Sequence, residues 1–336
     1  MTKPQSPSSL SARPTRLRRH SFGRISFCLI TFFFLALLLR NSEIAVRYIS
    51  DGLSLCAKTL IPSLFPFLVI SELLVSGGAI RPLENLLARP FRSFLRISGE
   101  SGCALLLGFL CGFPLGTKTA ASLYRQGRIS LEELQHLITF CNVPSLAFLV
   151  FAVGDSLLGS RSLGVELYVI TLLSSLLIGV LSNRLFQKST LGSVSPCSSS
   201  VSEPRSPLTV FTEAVGNSAT AMIRICAFVL FFSALVGILE RILTPFSLSQ
   251  ETTALIFGIF ELTGGVARAA ACAPVAAPYL CAALAGWSGL SVHFQIMSLC
   301  DGIPLSFSSY FLAKLGHGAL NVLLLYGYTL LKTTLA

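Results

Sequence analysis

Residues Gly102–Ser145 read GCALLLGFLCGFPLGTKTAASLYRQGRISLEELQHLITFCNVPS. The stretch is apolar enough to enter a membrane, yet it is interrupted. Gly108, Gly112, Pro114 and Gly116 crowd one short run, Lys118 follows, and a second interruption falls at Asn142-Val143-Pro144. Glycine and proline loosen helical hydrogen bonding, and the freed backbone groups cannot face lipid. Such breaks persist where irregular backbone lines a protein-enclosed cavity, as in discontinuous transporter helices. Two kinked helices packed through glycines would read the same way. Lys118 favours the first reading, because a buried cation in a membrane needs a partner or a purpose.

Outward from this stretch, composition agrees. The chain has 336 residues, 53% hydrophobic and 12% charged, with a mean hydropathy of +0.75. A soluble domain carries about 25% charged residues. Long apolar runs without strand alternation predict an all-α polytopic membrane protein. The net charge of +10 sits mostly in tails and loops, where the positive-inside rule puts it, so no nucleic-acid partner is expected. Ten cysteines are scattered without CxxC pairs, and four histidines lack ligand spacing. Phosphate-loop, nucleophile-elbow and zinc-protease motifs are absent, so no catalytic residue, metal or cofactor is expected.

The chain divides into a basic cytoplasmic tail at 1–24, an N-terminal anchor at 25–41, a first repeat at 42–186, a Ser/Pro-rich cytoplasmic linker at 187–207 and a second repeat at 208–336. Residues 80–96, rich in arginine, read as a helix on the inner surface. Ser130 and Glu133 read as a capping box opening the next helix.

The repeat rests on two alignments. Gly108–Ala121 lies on Gly258–Ala271, setting Lys118 against Arg268, and Asn142–Phe148 lies on Ser288–Phe294 with a shift of four. An odd number of spans per half predicts inverted topology, with re-entrant, discontinuous helices around a site near the midplane. Breaks are expected at Gly112, Pro114, Gly116, Pro144, Gly264 and Gly265. Helix N-termini facing the cavity favour anions. Lys118 and Arg268 are expected to supply one cation each, and Asn142, Ser145 and Ser291 hydrogen bonds, to a small anionic or polar planar solute. Glu261 is expected as counter-ion to Arg268 or as a coupling-proton site. Snorkelling of both cations to headgroups is the competing reading.

The run GFLCGFPLGTKTAASLYRQGRIS with FCNVPS, and later FELTGG and GLSVHFQ, resembles sporulation integral membrane proteins of the YlbJ type, among the nucleoside-recognition or Gate-domain membrane proteins. The resemblance implies an endospore-former, a multi-pass location in the cell membrane or a forespore-surrounding membrane, and a transporter-like role. It implies dipicolinate, a planar dicarboxylate, as a solute; the Gate-domain name implies nucleosides. The partners expected are the bilayer and a small solute, with a second copy of the chain or spore-envelope membrane proteins left open. A non-transporting scaffold for spore-envelope assembly is the alternative of a different class.

Overall fold

The computed structural model describes residues 17–77, 81–186 and 206–335. Residues 1–16 of the basic tail and 187–205 of the linker lie outside the described residues. The described elements are all helical: α1 (Leu17–Arg40), α2 (Ser42–Leu55), α3 (Ile61–Ser76), α4 (Arg81–Phe94), α5 (Gly99–Cys111), α6 (Leu115–Arg125), α7 (Leu131–Leu137), α8 (Arg161–Phe186), α9 (Pro207–Leu243), α10 (Gln250–Phe260), α11 (Leu262–Ala270), α12 (Ala277–Trp287), α13 (Leu290–Leu299) and α14 (Phe307–Leu335). π-Helical turns at Cys56–Leu60 and Ala147–Leu157 and a 3-10 turn at Thr244–Phe246 complete the set.

Among the described residues, three segments are long and apolar enough to cross a membrane, at 161–183, 207–246 and 277–299. A fourth candidate is the pair 28–40 and 42–58, bent by 93°. The Asn41 side chain marks that bend, donating to Leu37 O at 2.8 Å.

Serine begins several helices, because its oxygen satisfies an orphan N–H of the first turn. Ser98, Ser206 and Ser249 each accept from the residue three further on, opening α5, α9 and α10. Ser130 likewise accepts from Glu133 N at 3.1 Å to open α7. The capping box is only half made, because the Glu133 carboxylate turns away to accept from Ser98 N.

Two antiparallel pairs organise the bundle. The π-helical turn at Cys56–Leu60 joins α2 to α3 as one rod over 42–76, and α9, of 37 residues, runs beside it in the opposite sense. Tyr48 donates to Glu240 at one end, Gly52 abuts Ser233, and at the other end Ser218 and Glu72 share Lys118. The second pair is α8 with α14: Lys332 meets Glu166 at 2.9 Å, Ser174 meets Asn321, and Ile178 meets Gly316.

These last helices are apolar outside and polar inside. On α8, Val165, Val169, Leu173, Leu177 and Leu181 are exposed, while Thr171, Ser174 and Ser175 are buried. Helical spacing of four puts the exposed set on one stripe. That arrangement reverses the pattern of a water-soluble helix and fits a hydrocarbon surround.

Candidate functional site

Two interruptions meet in the first half of the chain. α5 ends at Gly112, whose φ of +81° disfavours any side chain. A Cβ there would stand 2.5 Å from Ser145 N, so the first break touches the second. Phe113 N–H donates to Val143 O at 2.9 Å. The Phe113–Pro114 peptide is cis, and α6 starts behind it with no side-chain cap. Asn142 Oδ1 accepts from Thr117 at 2.8 Å, and its Nδ2 donates to Ile138 O at 3.0 Å. Ser145 Oγ accepts from Phe148 N at 3.1 Å, opening the 147–157 segment. Gly112, Pro114, Asn142, Pro144 and Ser145 thus share one crossing. Gly116 lies inside α6, where a Cβ would come within 2.7 Å of Cys141 O.

The second half has a matching crossing built from other residues. The chain breaks at Glu261, which is extended at φ −141°, ψ 121°; Gly264 and Gly265 are helical residues of α11. Gly265 instead packs against Gly258, where a Cβ would lie 2.1 Å from the Gly258 Cα. The Glu261 carboxylate accepts from Thr263 N at 2.9 Å and Gly264 N at 2.6 Å. It is therefore the N-cap of α11, its charge set against the positive end of the helix. The other break is Ser288–Gly289, both at positive φ, and a Cβ on Gly289 would lie 3.0 Å from Leu262 N. α13 begins there without a side-chain cap, and Ser291 is buried in its first turn, accepting from Gln295 at 3.3 Å.

The aligned cations do not converge. Lys118 is 7% exposed and donates to Glu72 Oε2 at 2.9 Å, Ser218 Oγ at 3.1 Å and Leu68 O at 3.2 Å. All three ammonium donors are used. Arg268 pairs with Glu240 at 3.1 Å and lies over the Phe257 ring at 4.1 Å. Its counter-ion is Glu240 and not Glu261. Ser218 and Glu240 sit 22 residues apart on α9, roughly 33 Å at helical rise. Lys118 and Arg268 therefore stand far apart along one long helix, Lys118 against its first half and Arg268 at its C-terminal end. Neither snorkels freely, since each holds a glutamate of its own half and shares a hydroxyl or carboxylate contact with the other half.

A buried stripe on α14, which sequence reasoning missed, meets the first-half break. Tyr310, Lys314, His317 and Asn321 are all 0% exposed. Lys314 Nζ donates to Asn142 O at 2.9 Å and reaches His317 Nδ1 at 3.4 Å. His317 Nε2 meets Thr171 O at 3.1 Å, and Asn321 donates to Ala282 O at 2.9 Å and Thr171 Oγ1 at 3.3 Å. His293, at the start of α13, bonds Tyr310 at 2.6 Å through Nδ1, while among the described residues its buried Nε2 has no hydrogen-bond partner. Spacing betrays the stripe: residues 310, 314, 317 and 321 fall on one helical face, polar within an apolar run.

Among the described residues, no three His, Cys, Asp or Glu side chains could hold a metal ion. The fold and this buried polar centre define an all-helical integral membrane protein with interrupted helices. The chain is similar to the sporulation integral membrane protein YlbJ of Bacillus subtilis (strain 168), with 26% identity over 343 residues covering 91% of this chain and 84% of that protein. The YlbJ-type resemblance read from the motifs therefore extends over nearly the whole chain. No protein-family model matches the chain, and no solved structure matches it.

Proposed function

We propose that this chain is a transporter-like protein of sporulation that moves a small anionic or polar planar solute, of the dipicolinate class, across a membrane by alternating access. The observation that carries the reading is the pairing of interruptions. In each half two breaks touch, Gly112 with Ser145 and Gly289 with Leu262. The first and last long helices of one half run antiparallel to those of the other. The packing is also exchanged between halves: α6 lies on α13, and α11 on the 147–157 segment. Two inverted copies of one unit would produce this arrangement, and interrupted helices at matching positions are where such folds bind solute.

The preference for an anion follows from the helix ends. α6 and α13 start at the breaks without side-chain caps, so no carboxylate caps the positive ends of their dipoles, which favour a negative group. α11 is closed to such a ligand by the Glu261 carboxylate. The two halves thus differ in their affinity for charge, although they share a plan. Lys118–Glu72 and Arg268–Glu240 are read as equivalent latches at separate points along α9 and not as ligands. The former is closed from solvent, with side chains 8% and 9% exposed; the latter is more open, at 29% and 42%. That asymmetry is what a structure sealed on one side would show.

Reconstitution into vesicles with labelled dipicolinate, other small dicarboxylates and nucleosides tests the reading. Saturable flux of a dicarboxylate is expected. Saturable nucleoside flux alone would shift the substrate class, and no flux of either would leave a structural role.

A further inference from the structure

Lys314 is a buried amine whose hydrogen-bond partners among the described residues are the Asn142 carbonyl and the His317 ring. It is fully buried, and among the described residues no carboxylate lies within 4 Å of it, in contrast to Lys118, which holds Glu72. A permanent unpaired charge in such a place is strongly disfavoured. Lysine differs from arginine in being able to shed its charge when buried.

The neighbours are arranged for that exchange. Thr171 O can only accept, so the His317 nitrogen facing it, Nε2, carries the ring proton. Nδ1 of the neutral ring is then an acceptor for Lys314 Nζ. The other titratable groups around the ammonium are Tyr310 on α14, His293 on α13 and the Cys141 thiol beyond α7. α8 and α12 contribute Thr171, Ser174 and the Ala282 carbonyl, none of which ionises near neutral pH.

We infer that the Lys314–His317 pair is a proton-binding site, loading and unloading one proton as the crossing of the first half closes and opens. The inference rests on the transport reading for its role and on geometry alone for its existence. On release, an N–H bond of the ammonium breaks, its electron pair stays on Nζ as the neutral amine, and the proton passes to water admitted when the crossing opens. Reloading reverses the step. The protonated form clamps α14 to the first-half break, because a charge-assisted hydrogen bond to Asn142 O is roughly twice as strong as a neutral one. Proton occupancy and closure are thereby the same event, and the driving ion of the proposed transport is H⁺.

Proton counting on the purified full-length protein tests the site without any solute. Titrated from mildly acidic to mildly alkaline buffer, Lys314→Met and Lys314→Arg should each release about one proton fewer per chain than the wild type. The first removes the group; the second keeps the charge and cannot give it up. Lys332→Met, at an exposed lysine, should match the wild type. Release from both Lys314 variants equal to the wild type would overturn the site. In vesicles carrying an internal pH dye, dipicolinate flux through the wild type should move protons, and Lys314→Arg should move at least tenfold fewer per solute. An unchanged proton-to-solute ratio in Lys314→Arg would overturn the coupling. Absence of dipicolinate flux in the wild type would count against the transport reading, while the titration still decides the proton site.

Discussion

The ammonium of Lys314 lies 2.9 Å from the backbone carbonyl of Asn142, joining the last helix of the chain to an interruption 172 residues earlier. A chain break exposes carbonyls that helical bonding would have used. In water they would be solvated; in a membrane another part of the protein must meet them. Here the partner is a lysine from the opposite half. The contact supplies the donor that the interrupted backbone carbonyl lacks.

The Lys118–Glu72 pair makes a first test. Both side chains are nearly enclosed, so removing one leaves the other charged and unpaired. Glu72→Ala should destabilise the protein by about 3–5 kcal/mol in thermal unfolding in detergent. Adding Lys118→Met should recover much of that loss. A double mutant as unstable as the sum of the singles would show that the two do not act as a pair.

The Arg268–Glu240 pair should behave differently. With side chains 29% and 42% exposed, it is screened, and Glu240→Ala should cost less than about 1 kcal/mol by the same measurement. A loss as large as that of Glu72→Ala would mean that the Tyr48 and Arg268 contacts hold Glu240 as an enclosed pair.

Gly112 allows a sharper test of the crossing. Its φ is +81°, and a methyl group would meet Ser145 N at 2.5 Å. Gly112→Ala should cost more than about 3 kcal/mol, combining backbone strain with a backbone clash. Gly302 has a φ of +76° with open space around it, so Gly302→Ala should cost only about 1 kcal/mol. Equal losses would show that the breaks do not press on one another.

Glu261 is a cap, and its loss should read as one. Glu261→Ala should destabilise by about 1–2 kcal/mol, while Glu261→Asp should keep most of the stability, since a shorter carboxylate can still cap. An aspartate variant as damaged as the alanine variant would argue for a role beyond the helix end.

Much of this was legible in the residues. Gly112, Pro114, Asn142 and Pro144 announced the first crossing, because each departs from helical backbone for its own chemical reason. The second crossing was harder to read. Its break is Glu261, an ordinary helix former pressed into service as a cap, and the nearby Gly264 and Gly265 drew attention to the wrong side of it. The alignment of Lys118 with Arg268 located two cations with similar partners, a glutamate on a long helix in each case. Their distance apart was not legible, since α9 sets it and α9 shows no seam. Lys314, His317 and Asn321 were readable as one face of a helix, but only to a search for polar spacing inside apolar runs.

The central claim is that the two halves are inserted in opposite senses. Arg125 donates to Leu299 O at 2.9 Å and Asp301 O at 3.1 Å, putting the turn after α6 beside the turn after α13. The antiparallel packing of α14 on α8 and α12 puts the turns near Gly159 and Val275 at the other end. Single cysteines at Gln126, Gly302, Gly159 and Val275, labelled in sealed oriented vesicles with a membrane-impermeant maleimide, read this directly against the unsubstituted protein. The account predicts that Gln126→Cys and Gly302→Cys label from one side, and Gly159→Cys and Val275→Cys from the other. Labelling of Gln126→Cys and Val275→Cys from the same side would contradict it.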